Sequence, residues 1–180
     1  MTVALDTSAL LALAVDGAQR QVVLDALGAD PVWAASAMAL TEALPAIDRL
    51  TDEAILRADL EDAIRLAWDH LHVVPLDQRC LDRAAELARQ QPVRLTDALH
   101  LAAAERLPAP VRFVTFDAAQ IGVAEGLGFE AHGGQRRGKT QNLRLREADL
   151  RACRREARRH VQDGRFRGRV IVAEVDQCGT

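Results

Sequence analysis

The sequence predicts an α/β fold, a parallel sheet sandwiched between helical layers, carrying a basic helix-plus-strand extension at its C-terminal end. Three observations carry that expectation. Short apolar runs alternate with longer stretches of helical pattern from the N-terminus to about residue 132. Several of those runs end at a carboxylate or a proline, as strands do where they leave a sheet. Hydrophobic residues make up 49% of the 180 residues but aromatics only 3%, so the core must be built from Leu, Val, Ile and the 33 alanines.

Taken in order, Thr2 to Leu5 is a buried strand ending at Asp6, and Ser8 to Val15 is the Ala/Leu-rich helix it feeds. A helix from Gln19 to Leu27 stops at Gly28. Pro31 to Ala35 is the second strand. Ser36 is placed to cap a helix that runs through Glu42 to Leu50, and an amphipathic helix follows from about Thr51 to His70. Leu71 to Val74 is a third strand, ended by Pro75. Asp77 to Gln91 is helical, and Thr96 is placed to cap a helix from Asp97 to Leu107. Val111 to Phe116 is the clearest strand, followed by a helix from Ala118 to Leu127 that stops at Gly128. Strands alternating with helices imply a parallel sheet covered on both faces.

Charge divides the chain. Residues 1–133 hold 10 arginines against 20 carboxylates, a balance of -10, while residues 134–180 hold 13 basic against 6 acidic groups, a balance of +7. The boundary falls near Gly133, giving a body over 1–132 and a basic extension over 133–180. No apolar run approaches the ~20 residues of a membrane span, and no basic region precedes the first apolar segment, so the sequence predicts a cytoplasmic protein with no membrane contact. Cys80, Cys153 and Cys178 are odd in number and far apart, which excludes a disulfide framework and a cysteine-based zinc site.

The chemistry lies in four carboxylates. In open parallel sheets the ligand crevice lies beyond the carboxyl ends of the strands, and Asp6 and Asp117 each follow a strand. Glu42 sits among Met38, Ala39, Leu40, Ala43, Leu44 and Ile47, on a helix with little face left for water. Asp97 opens a helix that continues into Ala98, Leu99 and Leu101. Each acid alone has an ordinary reading as a cap or a partner of the helix dipole. Four converging acids would repel one another unless a cation neutralised them. An all-oxygen set that retains water suits Mg²⁺, or Mn²⁺ in its place, and such an ion suits phosphodiester hydrolysis.

Four segments also carry a family likeness. Val3-Ala4-Leu5-Asp6-Thr7-Ser8-Ala9-Leu10-Leu11, Ser36 to Leu44, Leu95 to Ala104, and Val114-Thr115-Phe116-Asp117 with Leu127-Gly128-Phe129 resemble, in order, the motifs of PIN-domain ribonucleases. Within that family the likeness is to VapC-like toxins of toxin–antitoxin pairs. The resemblance covers residues 1 to about 132 and implies a PIN-like fold and a Mg²⁺-dependent (or Mn²⁺-dependent) endoribonuclease. It implies Asp6, Glu42, Asp97 and Asp117 as the catalytic quartet and Asp6, Asp97 and Asp117 as metal ligands, with Ser8 and Thr115 orienting a ligand or water behind them. An RNA substrate, a small antitoxin protein and a homodimer are the partners it implies.

Other signals carry less. Gly133 to Thr140 fits the phosphate-loop pattern letter for letter, with the single lysine, Lys139, in its key position. The preceding Phe129 to His132 is a poor buried strand, however, and 47 residues cannot build an NTPase sheet, so the segment reads as a basic linker. His70 and His72 have no third ligand nearby and read as structural. His100, three residues after Asp97, reads first as a packed core histidine and second as a hydrogen-bonding partner in the site. In the extension, a helix over about 143–161 carries Arg154, Arg155, Arg158 and Arg159, suited equally to RNA phosphates and to docking on the acidic body. Competing readings are a nuclease outside any toxin–antitoxin pair and a non-catalytic RNA- or protein-binding module.

Overall fold

The computed structural model describes residues 1–133; the basic extension, with Arg154, Arg155, Arg158, Arg159, its expected helix and strand and the phosphate-loop match past Gly133, lies outside the described residues. The first strand, β1 (Thr2–Leu5), is buried along its whole length because it takes neighbours on both edges. Around it the chain forms α1 (Thr7–Ala14), α2 (Ala18–Gly28), β2 (Val32–Ser36), α3 (Met38–Leu50), α4 (Ala54–Trp68) and β3 (His72–Val74). It continues through α5 (Gln78–Gln90), α6 (Leu95–Ala104), β4 (Val111–Val114), α7 (Ala118–Gly126) and β5 (Glu130–His132).

All strand pairs are parallel, in the order β3-β2-β1-β4-β5. The chain steps outward from β1 to β3, then crosses back to lay β4 on the other edge of β1. Leu5 stands level with Ala35 of β2 on one side and Val114 of β4 on the other. That reversal opens a crevice beyond the carboxyl ends of β1 and β4, where open α/β sheets bind ligands.

Side chains alternate along each strand and so feed two cores. Val3, Leu5, Ala35 and Val114 pack with Leu10, Val23, Ile47 and Ile64 of α1 to α4. Ala4, Ala34 and Phe113 face the other way and pack with Cys80, Leu87, Leu101 and Val123 of α5 to α7. The small Ala4 and Ala34 leave room on that side for Phe113, whose ring stacks on Phe129 at 6.0 Å between centroids.

The sheet and its helical layers are as the sequence predicts, with local corrections. Ser36 does not cap α3: it ends β2, and Ala37 holds the cap position without a side-chain bond. Thr96 lies within α6, which begins one residue earlier after Arg94. The strand expected over Val111–Phe116 stops at Val114, freeing Thr115 and Phe116 for the site. Glu130–His132, too polar to read as a buried strand, forms a strand that among the described residues pairs with β4 alone.

Candidate functional site

Asp6 ends β1 and caps α1. Its Oδ1 accepts the Ala9 amide at 2.8 Å, and Ser8 Oγ lies 2.7 and 2.9 Å from the two carboxylate oxygens. Oδ2 also accepts Thr115 Oγ1 at 2.7 Å and Gln120 Nε2 at 3.1 Å. The residue is only 2% exposed. Burial pushes its carboxyl above the ordinary carboxylate range, although His100, Ala9, Ser8 and Thr115 pull the other way. An ionised Asp6 therefore gains from a positive neighbour.

Ser8 and Thr115 do more than hold Asp6. Ser8 Oγ accepts the Phe116 amide at 2.8 Å and Thr115 Oγ1 accepts the Asp117 amide at 3.1 Å. The two hydroxyls thus lock the start of α1 to the exit of β4. Asp117 caps α7 through the Ala119 amide at 2.8 Å. Asp97 lies in the first turn of α6 and is 4% exposed. Three of the four acids therefore stand at helix N-termini, where the backbone dipoles favour negative charge.

Glu42 comes from α3 and is held differently. Its Oε2 accepts Thr7 Oγ1 at 2.5 Å and lies 2.8 Å from His100 Nε2. An ionised carboxylate only accepts, so Nε2 turns its hydrogen to Glu42 while Nδ1 meets Ser36 Oγ at 2.8 Å. The hydrogen bond from His100, then that from Thr7, holds the Glu42 carboxyl below its ordinary range against the effect of burial. His100 is thus both a buried core residue, at 3% exposure, and a member of the site. It serves Glu42 rather than Asp97, the acid nearer in sequence.

Arg94 and Gln120 tie the acids together. Arg94 places Nε 2.9 Å from Asp97 Oδ2 and its NH2 group 3.2 Å from Asp97 Oδ1 and 3.0 Å from Asp117 Oδ2. Gln120 Nε2 donates to Asp6 and, at 3.2 Å, to Asp97 Oδ1. All four acids, with Thr7, Arg49, Arg94, His100 and Gln120, line one open cavity of about 200 Å³. Sequence reading missed Arg94, Gln120, Thr7 and Ser36. The usable signals were a basic residue three before Asp97 and a lone amide among the apolar residues of α7.

A PIN domain family model matches residues 3–126. The chain belongs to the PIN domain family. No curated protein matches its sequence. Among solved structures, VapC20 of Mycobacterium tuberculosis, described as a sarcin-ricin loop cleaving toxin, is similar at 16% identity and a TM-score of 0.56, over 73% of this chain and 99% of that one. VapBC2 of Rickettsia felis, bound to a DNA fragment from its promoter, is similar at 15% identity and a TM-score of 0.55, over 73% and 98%. A toxin–antitoxin complex from Klebsiella pneumoniae gives 20% identity and a TM-score of 0.52, over 67% and 90%. At these identities the likeness is one of fold.

The side chains of this PIN domain suit a hard divalent cation in their chemistry. The donors are carboxylate oxygens, and the one histidine of the cavity is engaged by Glu42 and Ser36. Gln120 Oε1 is buried with no hydrogen-bond partner among the described residues. Among the described residues no three carboxylates, histidines or cysteines are grouped as ligands of one ion, and the Arg94 guanidinium bridges Asp97 and Asp117.

Proposed function

We propose that this PIN domain is a Mg²⁺- or Mn²⁺-dependent endoribonuclease that acts as the cytoplasmic toxin of a toxin–antitoxin pair. One observation carries the reading: four carboxylates from the starts of α1, α6 and α7 and from α3 line a single cavity at the carboxyl edge of the sheet. Family membership supports nuclease chemistry, and the toxin–antitoxin complexes that share the fold support a small protein partner. Among the described residues no helix is long and apolar enough to cross a membrane.

Asp6, Asp97 and Asp117 would hold the ion, which when bound supplies charge for the phosphate and lowers the pKa of a water. Ser8, Thr115 and Gln120 keep the Asp6 carboxylate in place, and Ser8 and Thr115 keep β4 in register with α1. Glu42, kept ionised by His100 and Thr7, is the base at which a proton from the attacking water is held. A cationic antitoxin segment would match this acidic rim, because arginine pairs with carboxylates bidentately. The toxin itself would form a two-fold dimer. The nuclease unit is assigned to residues 1–132 and RNA affinity to the basic extension over 133–180, through Arg154, Arg155, Arg158 and Arg159.

The test is purified protein with total RNA, in Mg²⁺ or in EDTA, with new 5′ ends mapped. Cleavage is expected only with the metal. Asp97→Asn keeps the size of the side chain but removes a ligand charge, so it should abolish cleavage without unfolding the protein. An active Asp97→Asn variant overturns the mechanism.

A further inference from the structure

Among the described residues Arg94 is the positively charged group in direct contact with two acids of the site, and its geometry exceeds what local structure requires. A cap at the start of α6 needs only the backbone: the Arg94 amide donates to Asp97 Oδ2 at 3.3 Å, and the Ala98 amide donates to the Arg94 carbonyl at 2.9 Å. The guanidinium goes further and reaches Asp117, 23 residues away on another element. Its side chain is 73% exposed, whereas those of Asp97 and Asp117 are 5% and 20% exposed. An exposed cation thus lies on the solvent side of two more deeply embedded anions.

We propose that Arg94 is the internal counter-ion of the acidic cleft: it bridges Asp97 and Asp117 in the absence of a divalent ion and gives up both when the ion binds. This inference rests on the metal-nuclease reading above. The physics is that of competition. Two carboxylates brought together need positive charge, and a divalent cation supplies twice what a guanidinium does. The guanidinium is 73% exposed and returns to water when it leaves, while the ion takes over the charge balance at the buried Asp97. Its backbone anchor keeps α6 capped while it moves and returns it when the ion departs. Arg94 then raises the metal concentration at which the site fills, and it protects the unfilled site from self-repulsion.

The experiment measures Mn²⁺ binding to the full-length protein without RNA, by calorimetry or by the electron paramagnetic resonance of free Mn²⁺. Arg94→Gln should bind Mn²⁺ more tightly than the parent, by roughly two- to tenfold. Arg94→Lys keeps the charge but loses the forked geometry and should fall between the two. Arg49→Gln removes a positive charge from the same cavity wall, where the guanidinium pairs with neither Asp97 nor Asp117, and should change affinity less than Arg94→Gln. In EDTA the Arg94→Gln protein should melt below the parent, and Mn²⁺ should close that gap.

Affinity in Arg94→Gln equal to or weaker than the parent, or matched by Arg49→Gln, overturns the counter-ion role. Weaker RNA binding with unchanged Mn²⁺ affinity does so too, and makes Arg94 a phosphate contact instead. The outcomes separate the two levels. Mn²⁺ binding that Asp97→Asn abolishes but Arg94→Gln leaves unchanged sinks the Arg94 role alone, while no Mn²⁺ binding in any variant sinks the metal reading with it.

Discussion

Gln120 spends one amide nitrogen on two carboxylates, and at the residue scale this leaves it no tolerance for a negative charge. Gln120→Glu keeps the shape but replaces a shared donor with a third negative charge beside Asp6 and Asp97. A buried charge without a partner costs on the order of 3 kcal/mol or more, or it stays protonated. The introduced carboxyl should therefore titrate high, and the variant should lose stability as pH rises above the ordinary carboxylate range. Urea midpoints measured from pH 4 to 8 would reveal the loss; a midpoint parallel to that of the parent would contradict it. Glu42 obeys the opposite sign. Its carboxyl is held below the ordinary value of 4.5, so its contribution is complete above that pH and vanishes as pH falls through the lowered value. Glu42→Gln should flatten this part of the acid limb, and the difference between the two curves isolates the group from Asp6, whose shift runs the other way. Three of the acids stood out at strand ends and helix starts, and Glu42 stood out by its apolar neighbours on α3. Their partners did not, because Glu42 meets His100 across 58 residues and Arg94 meets Asp117 across 23. No periodicity encodes a contact between elements.

At the scale of elements, strong local signals gave the right types and weaker ones misplaced the ends. Ser36 and Thr96 each precede an apolar helical run, which is the usual mark of a cap. Ser36 instead closes β2 against the His100 ring, since a buried imidazole nitrogen needs a partner more than an N-terminus near water does. The strand β5 escaped notice because three residues with two exposed side chains carry no apolar run. It persists through its ladder to β4 and through the Phe113–Phe129 stack beneath it. Phe113 is 1% exposed and is the largest fully buried side chain. Phe113→Ala should cost about 3–5 kcal/mol by the cavity it leaves, read as a shift in urea midpoint. A loss under about 1 kcal/mol would mean that the alanine-rich layer collapses into the space. Just past β5, Gly133 adopts a φ of +123°, and a Cβ there would collide with the Thr115 carbonyl. The residue where the body ends thus rests against the residue that holds Asp6.

On the scale of the whole molecule, the proposed function gives chemistry to the acidic body and substrate affinity to the basic extension. Each arginine–phosphate contact on single-stranded RNA contributes about 0.7 to the slope of log affinity against log salt. A chain ending at Gly133 should keep metal-dependent cleavage while binding RNA more weakly and with a shallower salt slope. Filter binding over a salt series tests this directly. An unchanged slope would show that the extension touches no phosphate, and higher activity after truncation would show that it shields the acids instead. The parallel sheet was readable because each buried strand is an apolar run between polar stops. The order of the strands and the single cavity were not, because the return from β3 to β4 is a matter of topology that no local pattern records.

That return also sets a timetable. β1 pairs with β4, Thr2 with Val111, so the central strand leaves the ribosome about 110 residues ahead of one of its two neighbours. At roughly 5–20 residues per second, that wait is on the order of 10 s. Through this interval one edge of β1 has no partner, and neither Thr115 nor Gln120 has reached Asp6. The candidate site is therefore among the last features of the body to form, and on the proposed nuclease reading a ribosome making this chain meets no assembled site until almost the whole of that body has been translated.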